Sequence, residues 1–578
     1  MKHHLPVTLI LFTGTALSLF WLYALFAPLT CQETISEYVA IAGLFFLFSG
    51  LTILIVGRHR SISPSPSQAF AWLLAPGPTQ ETAGLCNGYK KWGLTIIVGA
   101  AAFSYSAIHL SADASKWEIG KDTRSYMDVS FSDPWNSYRT PGLKYYLIAL
   151  GQFEPIQRVL WPDLSSLEQY TQNALADEKA YNAFLFVSRT NFLLRAAALA
   201  LLAVSLSLHV SAPLAVAAPC LILHFSGLLE TFWIMSDQLG ATLLLFAVSL
   251  GLFFAHSRRL IFLLALAIIS AYAFLVRPAM IFAPALAGLI VLLVMVKACR
   301  LKQKLRAGLA LVIGLLLILG TAIWPWRLYS KSGLLVVSQI QASATISRAL
   351  YLLQPGDEDL FTEERDRQYV VKLLEQKPEF DRKLHEKIFP KGRGNYSKIY
   401  GFIGCLDEYY YRGFFHDLYR EMYSEELRKH NRNLLGEAEL AKIVARPIIQ
   451  AHFGENLAIA GRNALSSLCF YPDVLESPFG NKIQKLGINA KLIPGIFFSF
   501  LLVLVVSIAA GTASLRVPIL FIGAIHPLAV AVLSFGHAVV HRYLQLSEWC
   551  LLLAVFLAIV SLLNKMLSQL YIRESITQ

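Results

Sequence analysis

Long apolar runs alternate with short polar segments along most of the chain. Twelve runs are about as long as an α-helix must be to cross the hydrocarbon core of a bilayer. These runs, predicted to be membrane-spanning helices, are Leu5–Leu29, Tyr38–Val56, Trp92–Leu110, Phe186–Val210, Pro213–Leu228, Phe232–Ala255, Leu260–Leu275, Met280–Val296, Ala307–Trp324, Leu492–Ala513, Val517–Phe535 and Trp549–Leu567. The first run is longer than the apolar part of a signal peptide, so we interpret it as an uncleaved first span. The pattern predicts an all-α polytopic membrane protein.

Basic residues are concentrated in alternate connections between the predicted spans. These basic segments are Arg58-His59-Arg60 with Lys90-Lys91, Arg258-Arg259, the stretch from Lys297 to Arg306, Arg516, and Lys565 with Arg573. Because cytoplasmic loops carry an excess of Lys and Arg, we expect these connections and both termini to be cytoplasmic. The same segments hold most of the surplus behind the net charge of +12, which argues against nucleic acid as a partner. The expected location is the inner (cytoplasmic) membrane.

Two polar stretches are too long to be simple connections. Residues 111–185 form an outer loop between the third and fourth predicted spans, and residues 327–491 are enough for an extracytoplasmic domain. That domain is predicted to be mostly helical, because charges recur three and four residues apart in Glu363–Lys377, Glu379–Ile388 and Glu421–Leu434. The predicted division is a transmembrane catalytic module at 1–326, the soluble domain at 327–491 and C-terminal transmembrane helices at 492–578. Cys405 and Cys469 fit either a disulfide or two separate thiols.

Polar residues are expected to gather on the outer side of this bundle. The candidates are Asp122, Tyr126, Asp128, Arg139, Glu230, Asp237, Arg277, Arg327, His541 and Arg542. Charged groups at a membrane boundary cost several kcal/mol unless they are paired or hydrated, so their convergence predicts a polar cavity. Taken singly, Arg277, Arg327 and Arg542 also fit as anchors to lipid headgroups, and the loop carboxylates fit as ordinary solvated charges.

The residue types in this set suit one kind of chemistry. A guanidinium forms bidentate hydrogen bonds to phosphate oxygens, and an outer-loop carboxylate can act as a general base on a hydroxyl or amine. A phosphate leaving group is stabilised by a cation and needs no separate acid. Together these groups predict transfer from a lipid phosphate to an acceptor outside the cytoplasm.

Four short elements lie on the predicted outer side in a characteristic order. Asp122-Thr123-Arg124-Ser125-Tyr126 places an acidic residue four positions before a tyrosine, and Arg139-Thr140-Pro141-Gly142-Leu143-Lys144-Tyr145-Tyr146 follows it in the same loop. Ser236-Asp237-Gln238-Leu239 opens a long apolar run, and Arg277-Pro278 lies between consecutive spans. These elements resemble motifs of the GT-C superfamily of integral membrane glycosyltransferases, which includes protein O-mannosyltransferases, aminoarabinose transferases and enzymes like the rhizobial lipopolysaccharide-core transferases. Ala445–Leu457 is similar to the pre-membrane helix of bacterial members.

The resemblance implies a role for each candidate. Asp122 would be the catalytic base, Arg139, Arg277 and Arg327 would hold a polyprenyl phosphate, and Asp237 would orient a cation or an arginine partner. Supporting or cation-binding roles would fall to Asp128 and Glu230, and donor or acceptor contacts to Tyr126, His541 and Arg542. The implied enzyme moves a sugar from a polyprenyl-phosphate donor to an extracytoplasmic glycan, lipid or protein by inverting displacement. No cofactor is required in this class as a rule, although some relatives use a divalent cation.

Two other functions fit parts of the same pattern. A polysaccharide polymerase or ligase with a polyprenyl-diphosphate donor would also have arginines and large outer loops. A transporter or flippase for lipid-linked sugars would place charges midway through its helices, where Arg189, Arg195 and His224 are the candidates.

Overall fold

A computed structural model shows a protein that is helical throughout its described part, with no strand among those residues. The described residues are 88–111, 124–127, 129, 139–160, 167–225, 236–297, 308, 312, 319–338, 340–388, 422, 438–469, 493–536 and 541–577. The all-α prediction is confirmed for these residues. The first two predicted spans, Leu5–Leu29 and Tyr38–Val56, lie outside them.

The helices are numbered here in chain order. They are α1 Gly88–Ser111, α2 Gly142–Ala149, α3 Phe153–Leu160, α4 Leu167–Ala176, α5 Glu178–Leu206, α6 Ala212–Phe225, α7 Ser236–Ser257, α8 Leu260–Val276, α9 Ala285–Lys297, α10 Ile323–Ser332, α11 Ile340–Leu352, α12 Glu364–Ile388, α13 Arg446–Ala451, α14 Phe453–Cys469, α15 Ile493–Ala510, α16 Arg516–Gly536 and α17 His541–Thr577. Short 3₁₀ turns occur at Arg124–Tyr126, Pro278–Met280 and Asp357–Leu360, and a π-helical turn at Ala441–Ala445.

Four of the described helices are long and apolar enough to cross a membrane. They are α5, α7, α16 and α17. Shorter apolar helices lie in α1, α6, α8 and the Pro278–Val294 stretch. The apolar runs that lie within the described residues therefore do form helices, while the number of twelve spans stays a prediction.

Two of these helices extend well beyond their apolar runs. Helix α5 begins at Glu178 rather than at Phe186, because Asp177 caps it by accepting hydrogen bonds from the backbone N–H groups of Lys179 and Ala180. Helix α17 likewise starts at His541, before the apolar run at Trp549. A hydropathy pattern marks only the apolar part of a helix, so it placed both starts too late.

The helical bundle is centred on α7, whose residues are buried along nearly its whole length. Helix α7 packs against α5 on one side and α8 on another, while α1 packs against α5 and α6. Helices α16 and α17 pair with each other and close the bundle against α7. Since only Arg258 and Arg259 separate α7 from α8, the two helices run antiparallel, and the start of α7 lies beside the end of α8.

A second hydrophobic core lies outside the bundle, in the predicted soluble domain, which we call the outer domain after the side that is predicted for it. It joins α10, α11 and α12 with the π-helical turn and α13 through buried residues such as Trp324, Ile346, Tyr369, Val444 and Ile448. This core gives residues 323–388 and 438–459 a hydrophobic interior of their own, distinct from the core of the bundle.

Two details of this domain differ from the sequence prediction. The two helices expected at Glu363–Lys377 and Glu379–Ile388 form one helix, α12, with Pro378 inside it. Conversely, the stretch Ala445–Leu457, expected as one helix, is interrupted at His452. The ring of His452 turns towards the 3₁₀ turn, where Nε2 lies 2.9 Å and 3.0 Å from the carboxylate oxygens of Asp357. That long-range contact is not visible in local periodicity.

Candidate functional site

The candidate site begins at the end of α8, where Pro278 stops the helix. Because a residue before proline is driven out of the helical conformation, Arg277 is extended, with φ −142° and ψ 117°. Its side chain is only 1% exposed. A guanidinium buried to this degree must be matched by partners inside the protein.

Three side chains from distant parts of the chain provide those partners. Arg277 Nη1 donates hydrogen bonds to Tyr126 Oη at 2.8 Å and to Ser236 Oγ at 3.0 Å. Arg277 Nη2 lies 2.8 Å from Asp237 Oδ1, forming an ion pair. The Ser236 hydroxyl also donates to Tyr126 Oη at 2.5 Å. We call Tyr126, Ser236, Asp237 and Arg277 the Arg277 cluster.

Asp237 is the single carboxylate of this cluster, and it is 2% exposed. It lies in the first turn of α7, where the helix dipole favours a negative charge. Its contact with Arg277 has ion-pair distance but not hydrogen-bond geometry, and among the described residues neither carboxylate oxygen accepts a hydrogen bond. Asp237 thus balances the charge of Arg277 and retains capacity as an acceptor. Of the two partners the resemblance implies for Asp237, a cation or an arginine, Arg277 is the one in contact.

Arg139 lies against the same cluster from the outer loop. Its guanidinium carbon is 5.3 Å from the centroid of the Tyr126 ring, a cation–π distance, and its Nε donates to Ser125 Oγ at 3.0 Å. Unlike Arg277, Arg139 is only partly buried. Arg139 is therefore the more accessible of the two guanidinium groups at this site.

Close packing of α2 on α8 brings the outer loop to the cluster. A Cβ atom at Gly142 would lie 2.5 Å from the backbone of Leu275 and Val276, so only glycine allows this approach. The Tyr272 hydroxyl donates to the carbonyl of Gly142 at 3.1 Å. Since Arg277 follows Val276 directly, this contact aligns the Arg139 segment with the end of α8.

The Arg277 cluster lies where the bundle and the outer domain meet. Tyr126 belongs to the core of the bundle, but Val129, three residues later, packs in the outer-domain core. Phe274, three residues before Arg277, also packs in the outer-domain core. The cluster is thus covered from both sides, which explains its low exposure.

Among the other predicted site residues, only Arg327 has a described side chain, and it lies outside the Arg277 cluster. Arg327 is on α10 with an exposed side chain, and within the described part of the chain that side chain forms no hydrogen bond or ion pair. His541 and Arg542 begin α17, but their side chains are not among the described ones. Outside the described residues altogether lie Asp122, Asp128, Glu230 and Cys405. No group of three or more potential metal-ligating side chains occurs in the described part.

A small polar cavity next to the cluster was missed by the sequence analysis. The described residues that line it are Ser188, Asn191, Phe192, Arg195 and Gln238. The Tyr146 hydroxyl donates to Asn191 Oδ1 at 2.6 Å, and burial, with a smaller contribution from Tyr272, raises the pKa of Tyr146, so it stays protonated as a donor. Polar residues at 188, 191 and 195 follow helical spacing within α5, and that spacing was the available signal.

Comparison of this chain with models of protein families, with curated proteins and with solved structures finds no match.

Proposed function

We propose that the protein is a membrane glycosyltransferase that moves a sugar from a polyprenyl-phosphate donor to an extracytoplasmic glycan, lipid or protein. The observation that carries this proposal is the Arg277 cluster with Arg139 beside it. It gathers a tyrosine, a carboxylate and two guanidinium groups from four separate segments at one end of an apolar bundle. Such a group suits a phosphate whose lipid chain lies along the apolar helices.

The proposed setting is the inner membrane, with about twelve spans, cytoplasmic termini and an extracytoplasmic site. The four long apolar helices support a bilayer environment. The cluster is formed by the start of α7 and the end of α8, so it lies at the opposite end of this pair from the basic turn Arg258-Arg259. Since basic turns face the cytoplasm, this placement supports an outer location for the cluster.

The two arginines have different proposed roles. Arg277 is buried and its Nη atoms are already bound to Tyr126, Ser236 and Asp237, so it holds the cluster together and contributes positive potential. Arg139 is more accessible and binds a phosphate oxygen directly. The exposed Arg327 has the least support as a third phosphate-binding residue.

The proposed reaction is a single displacement with inversion at the anomeric carbon. Asp122 takes the proton of an acceptor hydroxyl as the hydroxyl oxygen bonds to that carbon. The bond between the carbon and the phosphate oxygen breaks, and its electron pair leaves with the phosphate, whose charge the guanidinium groups stabilise. Asp122 lies outside the described residues, and its role rests on the resemblance; in sequence it precedes Tyr126 of the cluster by four positions.

The test is transfer, or slow hydrolysis, of a radiolabelled polyprenyl-phosphate sugar in membranes that contain the overexpressed chain. Asp122→Asn should abolish release of the sugar while the protein still accumulates in the membrane. Asp359→Asn, which changes an exposed aspartate of the outer domain, is the matched control and should keep full activity. An active Asp122→Asn protein would remove the base from this proposal.

A second candidate function, a polymerase or ligase with a polyprenyl-diphosphate donor, is favoured by one observation. A third guanidinium, that of Arg195, is buried beside Gln238, the residue that follows Asp237, and a second phosphate group would find a cation there. Comparing the release of sugar from monophosphate and diphosphate donors separates the two functions.

A further inference from the structure

The cavity between α5 and α7 has a lining that suits a negatively charged group. Ser188, Asn191 and Arg195 share one face of α5, and Gln238 faces them from the first turn of α7. All four are buried, with Arg195 only 2% exposed. The cavity has room for about one water-sized group.

The lining is rich in hydrogen-bond donors. The guanidinium of Arg195 has five N–H donors and no acceptor. Asn191 uses its carbonyl oxygen to accept from Tyr146, which leaves its NH₂ group as a donor. Ser188 and Gln238 supply a hydroxyl and a second amide. No carboxylate is among the described residues that line the cavity, so the site suits an oxyanion oxygen rather than a cation.

This cavity is separate from the Arg277 cluster but adjacent to it. Gln238, in the cavity wall, directly follows Asp237, which pairs with Arg277. Successive residues of a helix point about 100° apart, so the two guanidinium groups approach the first turn of α7 from different directions. Asp237 balances the charge of Arg277, whereas the described residues that line the Arg195 cavity include no carboxylate.

We propose that the Arg195 cavity is a second oxyanion subsite, which receives a terminal oxygen of a phosphate-type group other than the one at Arg139. This inference rests on the proposed function, because the lipid part of the ligand is taken from the proposed polyprenyl-phosphate donor. It does not require Arg195 to be free of protein contacts, because a guanidinium can bind several acceptors at once. The group would be the second phosphate of a diphosphate donor or an anionic group of the acceptor.

The first experiment compares binding of farnesyl phosphate and farnesyl diphosphate to the full chain in lipid nanodiscs. We expect the wild-type protein to prefer the diphosphate by about tenfold or more, the effect of one charge-assisted contact. Arg195→Gln should remove this preference and leave farnesyl phosphate binding unchanged. Arg189→Gln is the matched control, since Arg189 is an exposed arginine of the same helix. A preference that persists in Arg195→Gln shows that the second phosphate of the diphosphate does not bind at Arg195.

A second arm identifies an acceptor source of the anion. Inorganic phosphate is titrated into protein saturated with farnesyl phosphate. If the first experiment shows no preference for the diphosphate, an Arg195-dependent rise in thermal midpoint assigns the subsite to the acceptor. If neither arm depends on Arg195, the inference is overturned. If Arg195→Gln fails to fold, Gln238→Glu replaces it, because this change puts a negative charge in the cavity wall at nearly constant volume. Unchanged anion binding by Gln238→Glu would then overturn the inference.

The same measurements separate this inference from the proposed function. If Arg195→Gln binds both lipids as the wild type does and the second arm is also negative, only the second subsite fails. If the wild type binds neither lipid phosphate, the proposed donor fails and the subsite fails with it. Arg139→Gln should weaken both lipids alike, because it acts on the phosphate that they share.

Discussion

Arg277 illustrates how burial changes the meaning of a charged residue. At the level of sequence it is an arginine between two apolar runs, equally suited to a headgroup or to a substrate. In the fold it is enclosed, and its Nη atoms contact Tyr126, Ser236 and Asp237. A buried pair of this kind contributes little net stability by itself, but removing one partner leaves an uncompensated charge.

The first prediction concerns that buried pair. Arg277→Gln should lower the free energy of unfolding by about 3–5 kcal/mol, because Asp237 would stay buried without its counter-charge. The double variant with Asp237→Asn should be less destabilised than the sum of the two single variants. Denaturant unfolding in detergent measures all three. Arg327→Gln, at an exposed position, is the control and should change stability by no more than about 0.5 kcal/mol.

The second prediction concerns the Tyr126 hydroxyl, which accepts hydrogen bonds from Arg277 and Ser236. Tyr126→Phe keeps the ring under Arg139 but leaves both donors without this acceptor, so stability should fall by about 1–3 kcal/mol. Thermal unfolding at constant pH measures the loss. A variant as stable as the wild type would mean that the hydroxyl is not held in this network.

At the scale of elements, the site depends on how α2 meets α8. The segment Arg139-Thr140-Pro141-Gly142 leads into α2, and its glycine sits directly on the backbone at the end of α8. This contact orients Arg139 towards the Tyr126 ring. The hydroxyl of the same tyrosine accepts a hydrogen bond from Arg277, so Tyr126 lies between the two arginines. The glycine of this element has a packing role whatever the chemistry of the site.

The third prediction follows from that contact. Gly142→Ala places a Cβ atom 2.5 Å from the backbone of Leu275, so α2 must move away, at a cost of about 1–3 kcal/mol. Ligand binding through Arg139 should weaken at the same time. Gly288→Ala in α9 is the matched control, because nothing lies within 4 Å of its added Cβ and alanine favours a helix. Equal thermal midpoints for the two variants would contradict the close approach.

At the scale of the whole molecule, the outer domain is joined to the bundle by a polar bond as well as by packing. Arg348 of α11 donates from Nη2 to the backbone carbonyl of Ser534 near the end of α16, at 3.1 Å. The Arg348 side chain is partly buried, and this burial lowers the pKa of its guanidinium. The domain is therefore anchored to the bundle rather than merely tethered by the chain.

The fourth prediction tests this anchor. Arg348→Met removes the hydrogen-bond donor while filling similar space. The backbone amides of α11 and of the last turn of α16 should then exchange with deuterium about tenfold faster, if the lost hydrogen bond is worth roughly 1.5 kcal/mol. Hydrogen–deuterium exchange with mass spectrometry measures this change. Arg446→Met, at an exposed position of the same domain, serves as the control and should leave exchange in both helices unaltered.

Much of the architecture could be predicted because it depends on local patterns. Apolar runs gave the helices that the structure describes, and the order of the outer elements led us to expect Tyr126, Arg139, Asp237 and Arg277 near one another. The structure joins these four by a chain of contacts, since Tyr126 contacts both Arg139 and Arg277, and Arg277 pairs with Asp237. Their roles in catalysis stay predictions.

Other features could not be predicted, because they depend on partners that are remote in sequence. The residues around Asn191 in the sequence do not predict its hydrogen bond to Tyr146. Those around His452 do not predict its contact with the carboxylate of Asp357. The early start of α5 depends on one capping side chain, Asp177, which hydropathy does not weigh.

The pattern of apolar residues along the chain was enough to predict the helices, and the basic residues between them were enough to predict the sides of the loops, since both signals depend on residues close together in sequence. Burial and pairing were decided in the folded bundle. Whether Arg277 is a headgroup anchor or the centre of a buried cluster depends on Tyr126 and Asp237, which lie far away in sequence. Only packing α7 against α8, with the outer loop on top, brings these polar groups close enough to compensate one another's lost hydration.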